Sequence, residues 1–260
     1  MISLSKDLSV NLTQTGICSL KWADGGAHAS FLQARDDAEL LGMIRHGGTV
    51  VGIDVPLGWP IGFAQAVGHY MASDDGRWPK ASWPESYFRL RSTDEWVAKH
   101  ARKRQPPVSI RPLSVSADKL GAPAMKAAWL LSEIARGEPG TVVDRSGREG
   151  RFVEVYPTAA IRLWDLKLPP YRSKNKEETY EALTTCREEL TRRSGGVLQG
   201  LDGMQTEHQV DALICALVAR AARLPELTVA PPSEKQEAAR LEGWIHVPAA
   251  PITAPFPTSE

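Results

Sequence analysis

The sequence has few cysteines and no long apolar run. Its three cysteines, Cys18, Cys186 and Cys215, are far apart and show no Cys-x-x-Cys spacing, which argues against a disulfide framework or a zinc knuckle. We therefore expect a reducing compartment and predict a cytoplasmic protein. No stretch approaches the ~18 apolar residues of a membrane-spanning helix, and the amino terminus lacks a signal-peptide pattern, so we expect no membrane association.

The sequence also has no excess of either charge. Thirty-one Lys and Arg residues balance thirty-one Asp and Glu residues, so any attraction for nucleic acid must come from local clusters. Most basic runs are solvated surface, but two of them are candidate nucleic-acid contacts. The first contains Lys99, Arg102, Lys103 and Arg104, and the second contains Arg172, Lys174 and Lys176.

The composition is that of a globular chain, with 42% hydrophobic and 24% charged residues in 260. Strand patterns come first, and strands then alternate with helices, which predicts a mixed α/β sheet. The predicted strands are 15–22, 27–32, 49–55 and 152–156, and the predicted helices are 36–44, 123–136, 207–224 and 233–242. We expect one domain over 1–224 with a Pro- and Trp-rich insertion at about 58–112. A proline-rich extension over 225–260 is expected to pack on this domain or to trail from it.

Asp54 lies at the carboxyl end of the apolar stretch 49–55, and Pro56 then turns the chain. Ligands of open α/β sheets bind beyond the carboxyl ends of strands, so Asp54 is a candidate metal or substrate ligand. A carboxylate that caps the following turn by accepting nearby N–H groups fits the residue equally well.

Glu207, His208 and Asp211 begin the helix predicted over 207–224. Their spacings of three and four residues place them on neighbouring positions of one turn, while an apolar stripe anchors the helix on a sheet. Acids at a helix N-terminus also stabilise the helix by offsetting its macrodipole. Taken without the other candidate residues, this group is better explained by helix stabilisation than by ligand binding.

Asp7 precedes the first alternating pattern. If a first strand begins around 4–8, its carboxylate emerges beside Asp54, because adjacent strands lie about 4.8 Å apart. Ser5 and Lys6 are poor residues for a central strand, and a flexible terminus is an equally good interpretation.

These acids come from separate parts of the chain and together suggest a cation site. Carboxylate oxygens favour Mg²⁺ or Mn²⁺ over zinc. Like charges at one point raise one another's pKa unless a cation neutralises them. The sequence therefore suggests a magnesium or manganese site that contains Asp7, Asp54 and Asp211.

Several segments carry a resemblance to a known family. They are VGIDVPLGWP (51–60), RLRSTDEWV (89–97), VEVYPTAAIRLW (153–164), HQVDALICALVAR (208–220) and EGWIHVP (242–248). In this order they resemble the domain-of-unknown-function family 429, whose members are regarded as nucleases. The resemblance implies a ribonuclease H-like fold, with a five-stranded mixed sheet, helices on both faces, and acids on the first strand, the fourth strand and a late helix.

The resemblance also implies roles for individual residues. Asp7, Asp54 and Asp211 match the three acids, and His208 lies one turn before the last of them. Glu154 matches a Glu-Val-Tyr-Pro element and becomes a possible further metal ligand. Arg91, Thr93 and Asp94 match an Arg-x-Thr-Asp element, for which we expect substrate contact or a structural role in the insertion.

The function that follows from the resemblance is metal-dependent hydrolysis of phosphodiester bonds in DNA or RNA. Two ions about 3.5–4 Å apart would bind the scissile phosphate, with His208 as a ligand or proton carrier. The alternative is a non-catalytic nucleic-acid or protein-binding module on a degenerate nuclease scaffold, which the polar first strand favours. An ATP-using enzyme is disfavoured because no glycine-rich phosphate loop is present. A glycosidase is disfavoured because nothing fixes the separation of a carboxylate pair.

Overall fold

The computed structural model describes residues 2–4, 12–23, 26–46, 50–72, 88–138, 143–173 and 175–256. One mixed sheet lies at its centre, and the strand order across the sheet is β6-β3-β2-β1-β4-β5-β7. Its strands are β1 (Ile2–Leu4), β2 (Ile17–Ala23), β3 (Gly26–Leu32), β4 (Val51–Ile53), β5 (Phe152–Val155), β6 (Leu198–Gln199) and β7 (Ile245–His246).

The pairing of the strands is mixed. β1, β2 and β3 form an antiparallel meander, β4, β5 and β7 continue parallel to β1, and β6 lies parallel to β3 at the opposite edge. The mixed α/β class is therefore confirmed. The prediction of five strands is wrong, because the described sheet has seven. The two additional edge strands, β6 and β7, have two residues each, too few to produce an alternating pattern.

Helices cover both faces of the sheet. They are α1 (Asp37–His46), α2 (Ile61–Ala72), α3 (Ser92–Arg102), α4 (Gly121–Gly137), α5 (Pro157–Leu163), α6 (Lys176–Arg193), α7 (Glu207–Ala221) and α8 (Gln236–Glu242). Buried side chains of α5, α6 and α7 form the core on one face, and those of α1 and α4 form the core on the other. This arrangement gives three layers around a central sheet.

The longer predicted elements are confirmed, with boundaries shifted by a few residues. The alternating segment before residue 23 and its partner form the β2–β3 hairpin, with Ile17 opposite Leu32. β4 lies between β1 and β5 with all three residues buried, as its unbroken apolar composition predicts. The first strand is described over Ile2–Leu4, and the rest of the segment 4–8, where a strand is expected to begin, lies outside the described residues.

Helix α7 packs unusually close to the sheet because glycines face it. Val51 and Ile53 of β4 belong to the core on the α1 and α4 side, so Gly52 between them faces α7. A Cβ on Gly52 would lie 2.5 Å from the carbonyl oxygen of Cys215, and one on Gly16 would meet the carbonyl of His208. These two contacts fix the depth and register of the helix that carries His208 and Asp211.

The segments predicted as an insertion and an extension contribute to the core. Within 58–112, Val97 and Ala101 of α3 pack with Ile245 of β7 in a third apolar cluster. After residue 224, Ile252 and Phe256 belong to the core on the α7 face. Searched over the described residues, no helix is both long and apolar enough to cross a membrane.

Substitution of Gly52 by alanine tests the close approach of α7. The added methyl group would overlap the Cys215 carbonyl, so we expect Gly52→Ala to lower the free energy of unfolding by about 1–3 kcal/mol in urea denaturation. Gly42→Ala in α1 is the control, because no atom lies within 4 Å of its added Cβ. It should be neutral or stabilising by up to about 1 kcal/mol, and equal effects of the two substitutions would contradict the packing argument.

His246 predicts how stability depends on pH. Burial lowers the pKa of its imidazole to about 4 from an ordinary value of 6.5, while Nε2 contacts the Ser146 carbonyl at 2.9 Å. Between these values the unfolded chain takes up a proton that the folded chain excludes. Stability should therefore fall by roughly 3 kcal/mol from pH 6.5 to pH 4 on account of this residue.

The measurement is urea denaturation across this pH range. His246→Asn should have a shallower decline than the unsubstituted chain, although it loses stability at neutral pH. His46→Asn, at an exposed helix end, should keep the original slope. An unchanged slope in His246→Asn would show that the imidazole is not held neutral.

Candidate functional site

A cavity of about 80 Å³ opens at the carboxyl ends of β4 and β5. The chain leaves both strands here, with Asp54-Val55-Pro56 following β4 and Tyr156 following β5. Ligands of open α/β proteins generally bind just beyond the carboxyl ends of the strands. The polar or charged residues of its wall are Asp54, Arg91, Asp94, Glu154, Tyr156, Thr158 and Arg172.

Asp54 lies where the sequence predicts a ligand. It directly follows Ile53, the last residue of β4, and only 8% of its surface is exposed. Burial raises the pKa of the Tyr156 hydroxyl, and the charge of Asp54 raises it further. Asp54 thus places a negative charge in the wall of the cavity, beside a phenol that stays protonated.

Asp211 is held on the first turns of α7 by a capping box. The Thr206 hydroxyl accepts a hydrogen bond from the Gln209 N–H at 3.3 Å, and the Gln209 side chain accepts one from the Thr206 N–H at 3.1 Å. This reciprocal pair fixes where the helix begins. Asp211 then lies on the face that packs on the sheet, with 1% of its surface exposed.

The buried carboxylate of Asp211 has two partners from one loop. Tyr171 donates its hydroxyl to Oδ1 at 2.9 Å, and Arg172 forms an ion pair with Oδ2. Burial raises the pKa of Asp211, and the two partners oppose this without cancelling it. A carboxylate so placed needs a nearby cation, which Arg172 supplies. Sequence reasoning missed Tyr171 and assigned Arg172 to nucleic-acid binding.

The charges of Asp54 and Asp211 converge on the same groups. Burial lowers the pKa of Arg172, but Asp211 and, more weakly, Asp54 raise it above its ordinary value. Both carboxylates also raise the pKa of the Cys215 thiol, although burial has the larger effect on it. The two acids are separated by 157 positions in the chain (211 − 54), and the fold brings them to one region.

His208 lies one turn before Asp211 on α7. Its side chain is 22% exposed, and its Nε2 lies 3.7 Å from a Glu207 carboxylate oxygen. Burial raises the pKa of Asp211, and the charge of His208 opposes part of that rise. The fold therefore brings His208, Asp211 and Asp54 to the same end of the sheet, as the sequence predicts.

Glu154 has a different role from the predicted metal ligand. Arg91 donates to both of its oxygens, at 2.8 and 2.7 Å, and the Leu57 N–H donates to Oε2 at 2.9 Å. The Arg91 guanidinium also donates to Asp94, at 2.9 and 3.2 Å. These contacts give Glu154 a structural role in the fold, and its assignment as a metal ligand stays a prediction.

The Arg91, Thr93 and Asp94 element also fastens the fold together. All three side chains are buried, and the Thr93 hydroxyl accepts a hydrogen bond from the Ile245 N–H of β7 at 2.9 Å. Of the two roles expected for these residues, the contacts support the structural one, and substrate contact stays a prediction. The element joins α3 to both β5 and β7.

Glu242 is a further structural acid that sequence reasoning missed. One carboxylate oxygen accepts from the Ile61 N–H at 2.9 Å, and the other accepts from the Ser92 N–H at 2.7 Å. These are the first residues of α2 and α3, so one carboxylate satisfies the N-termini of two helices. The signal available in the sequence was its place in the EGWIHVP segment.

The other predicted residues either fall outside the described part of the chain or are absent from the wall of this cavity. Asp7, Lys174 and the side chain of Lys176 fall outside the described residues. Arg102, Lys103 and Arg104 are exposed at the end of α3. Lys99 pairs with Glu95 at 3.6 Å, so its surroundings are less uniformly basic than the sequence run suggests.

The described donors limit which metal site can form. Within the described ranges, no three His, Cys, Asp or Glu side chains are grouped closely enough to hold a metal ion. The three cysteines are reduced and buried. Among these four residue types, Asp54 and Asp211 therefore give at most a two-carboxylate site, and a third ligand of these types would have to come from outside the described residues.

Comparison with models of protein families shows which family the chain belongs to. A model of the DUF429 family, described as a protein of unknown function, matches residues 10–236. The chain belongs to this family. The match includes Asp54, Asp211 and the Arg91–Glu154 pair, but the EGWIHVP segment at 242–248 lies beyond it. Searches of curated proteins and of solved structures found no match.

Replacement of Arg91 tests whether this network is structural. Lysine keeps the charge but cannot make the paired contacts to Glu154, so we expect Arg91→Lys to cost about 2–4 kcal/mol of unfolding free energy. Arg35→Lys is the matched control, because Arg35 pairs with Glu39 at the surface and its side chain is 86% exposed. Denaturation of both variants in urea gives the comparison, and similar midpoints would contradict the structural role.

Proposed function

We propose that this DUF429 protein is a divalent-metal-dependent nuclease that hydrolyses phosphodiester bonds at the cavity beside Asp54. The observation that carries the proposal is the convergence of Asp54 and Asp211 on Arg172, which lines this cavity. Two acids and one arginine at a strand end suit a phosphate diester, since a guanidinium binds phosphate oxygens through paired hydrogen bonds.

The architecture supports the proposal. The inner strands β3, β2, β1, β4 and β5 form a mixed sheet with helices on both faces, as a ribonuclease H-like fold requires. Asp54 follows the fourth strand and Asp211 lies on a late helix, the positions that the family resemblance implies. β1 is parallel to β4, with Leu4 opposite Ile53, so Leu4, three positions before Asp7 in the sequence, lies at the same end of the strands as Asp54.

The donor chemistry fits Mg²⁺ or Mn²⁺, both of which prefer carboxylate oxygens. Asp54 and Asp211 would hold the ion, with Asp7 as the candidate third ligand. A bound ion of this kind polarises a phosphate oxygen and lowers the pKa of a coordinated water. The buried position of Asp211 is consistent with this fit, because its carboxylate must be neutralised by some cation.

The residues of the chain itself have separate tasks in this proposal. Arg172, with its side chain 49% exposed, releases Asp211 and binds the phosphate of the substrate. His208, beside Asp211, carries a proton during hydrolysis. The exposed Arg102, Lys103 and Arg104 hold the nucleic-acid backbone, about 16 Å along α3 from the cavity.

Asp54→Asn is the decisive variant. It removes a ligand charge while keeping the shape of the side chain, so we expect metal-dependent cleavage to fall at least about a hundredfold, while nucleic-acid binding persists. The assay uses supercoiled plasmid, single-stranded DNA, RNA and a four-way junction with Mg²⁺ or Mn²⁺. Asp202→Asn, an exposed acid outside the cavity, is the control. Absence of product on every substrate from the folded parent chain would defeat the nuclease proposal.

A non-catalytic nucleic-acid-binding module is the second candidate. The ion pair between Arg172 and Asp211 favours it, since a guanidinium already neutralises one of the two acids. In that case the parent chain binds nucleic acid without cleaving it, and calorimetry detects no uptake of magnesium or manganese. Asp54→Asn then leaves nucleic-acid binding unchanged.

A further inference from the structure

A second cavity, of about 440 Å³, lies at the amino-terminal ends of β4 and β5, opposite the strand ends that carry Asp54. Val50 and Arg151 line this cavity and immediately precede β4 and β5. The cavity beside Asp54 instead follows the carboxyl ends of these two strands. The volume falls within the roughly 300–1,000 Å³ typical of small-molecule sites. The remaining lining residues are Trp22, Glu149, Gly150, Arg220 and Arg223.

The cavity wall is rich in positive charge. Arg151 is balanced by Glu138 at 3.3 Å, whereas Arg223 donates to the backbone carbonyls of Arg148 and Gly150. Burial lowers the pKa of the Arg223 guanidinium, and the charge of Asp144 offsets this only in part. The acid in the lining, Glu149, is exposed.

Arg220, in the wall of this cavity, has a buried donor without a hydrogen-bond partner among the described residues. Its guanidinium carbon lies 5.2 Å from the centre of the Trp22 ring. Its Nε–H and the Trp22 indole N–H are both buried, and neither has an acceptor in the part of the chain that the structure describes. Both groups are donors only, so they need an acceptor rather than another donor.

The negative end of the α7 dipole accounts for part of this arrangement. Arg220 lies in the last turn of α7 and Arg223 just beyond it, where cations are generally favoured. The dipole does not account for Arg151, which comes from the loop before β5, or for the indole N–H of Trp22. Residues with N–H donors from three separate segments therefore line one cavity.

We propose that this cavity binds a phosphate monoester. A phosphate dianion offers several acceptor oxygens to the forked guanidinium groups, and it would balance the excess charge of Arg220 and Arg223. The volume leaves room for an organic group attached to the phosphate. This group does not stack on Trp22, because Arg220 lies over the ring and Phe256 packs against it at 5.1 Å.

Calorimetry with adenosine monophosphate, inorganic phosphate and adenosine tests the site in the full chain. The two phosphate-bearing probes should bind and adenosine should not. Arg220→Gln should weaken adenosine monophosphate binding at least tenfold, while Arg35→Gln, at an exposed position outside the cavity, should leave it unchanged. Trp22→Phe is the second variant, for use if Arg220→Gln fails to fold. It keeps an aromatic ring but removes the N–H, and it should also weaken binding.

Oligonucleotides with and without a 5′-phosphate separate two sources of the same chemical group. Tighter binding of the 5′-phosphorylated strand, lost in Arg220→Gln, identifies the end of a nucleic acid as a source of the phosphate. Equal binding of the two strands, with free adenosine monophosphate still bound, assigns the site to small phosphorylated molecules. The proposal is overturned by absence of phosphate binding, or by equal affinity in Arg220→Gln and the parent chain. Asp54→Asn should bind adenosine monophosphate normally, so this test is independent of the nuclease proposal.

Discussion

The guanidinium of Arg91 connects parts of the chain that are far apart in sequence. It donates to Glu154 on β5, to Asp94 on α3 and to the carbonyl of Glu242 at the end of α8. With 1% of Arg91 exposed, each of these charges depends on the others for the solvation that water would otherwise provide. The cavity wall includes Arg91, Asp94 and Glu154, so the shape of the candidate site depends on this network.

The acids of the site divide into two groups with different physical roles. Glu154, Asp94 and Glu242 have oxygens occupied by protein donors, and they hold strands and helices in place. Asp54 and Asp211 lie beside this framework, and their charges meet at Arg172. A rigid structural network that holds a second set of acids beside a cavity is the arrangement that a preorganised binding site needs. The proposed chemistry therefore belongs to the second group.

Local patterns in the sequence predicted the long elements well. The β2–β3 hairpin, β4, β5 and α7 have alternating, continuous or helical apolar patterns that depend only on near neighbours. The same patterns placed Asp54 and Asp211 correctly at the ends of their elements. They could not reveal β6 and β7, which are too short to show a period.

The pairings between distant residues were also beyond sequence reasoning. Arg91 and Glu154 are 63 positions apart, and Tyr171 and Asp211 are 40 apart, so no local spacing connects them. Carboxylates that bind metal and carboxylates that bind arginine have the same appearance in a sequence. Only the folded structure shows that Glu154 pairs with Arg91, because tertiary packing sets the positions of the partners.

Glu242 has a consequence for how the protein is made. Its carboxylate satisfies the first N–H groups of α2 and α3, and β7 directly after it pairs with β5. During translation, the ribosome completes the acids of β4 and β5 long before it reaches this segment. A nascent chain that ends before residue 242 lacks the carboxylate that accepts from the first N–H groups of both helices, so these contacts cannot form until that segment has been made. Contacts of such long sequence separation slow folding, which prolongs the time that the unfinished sheet edge stays open to other chains.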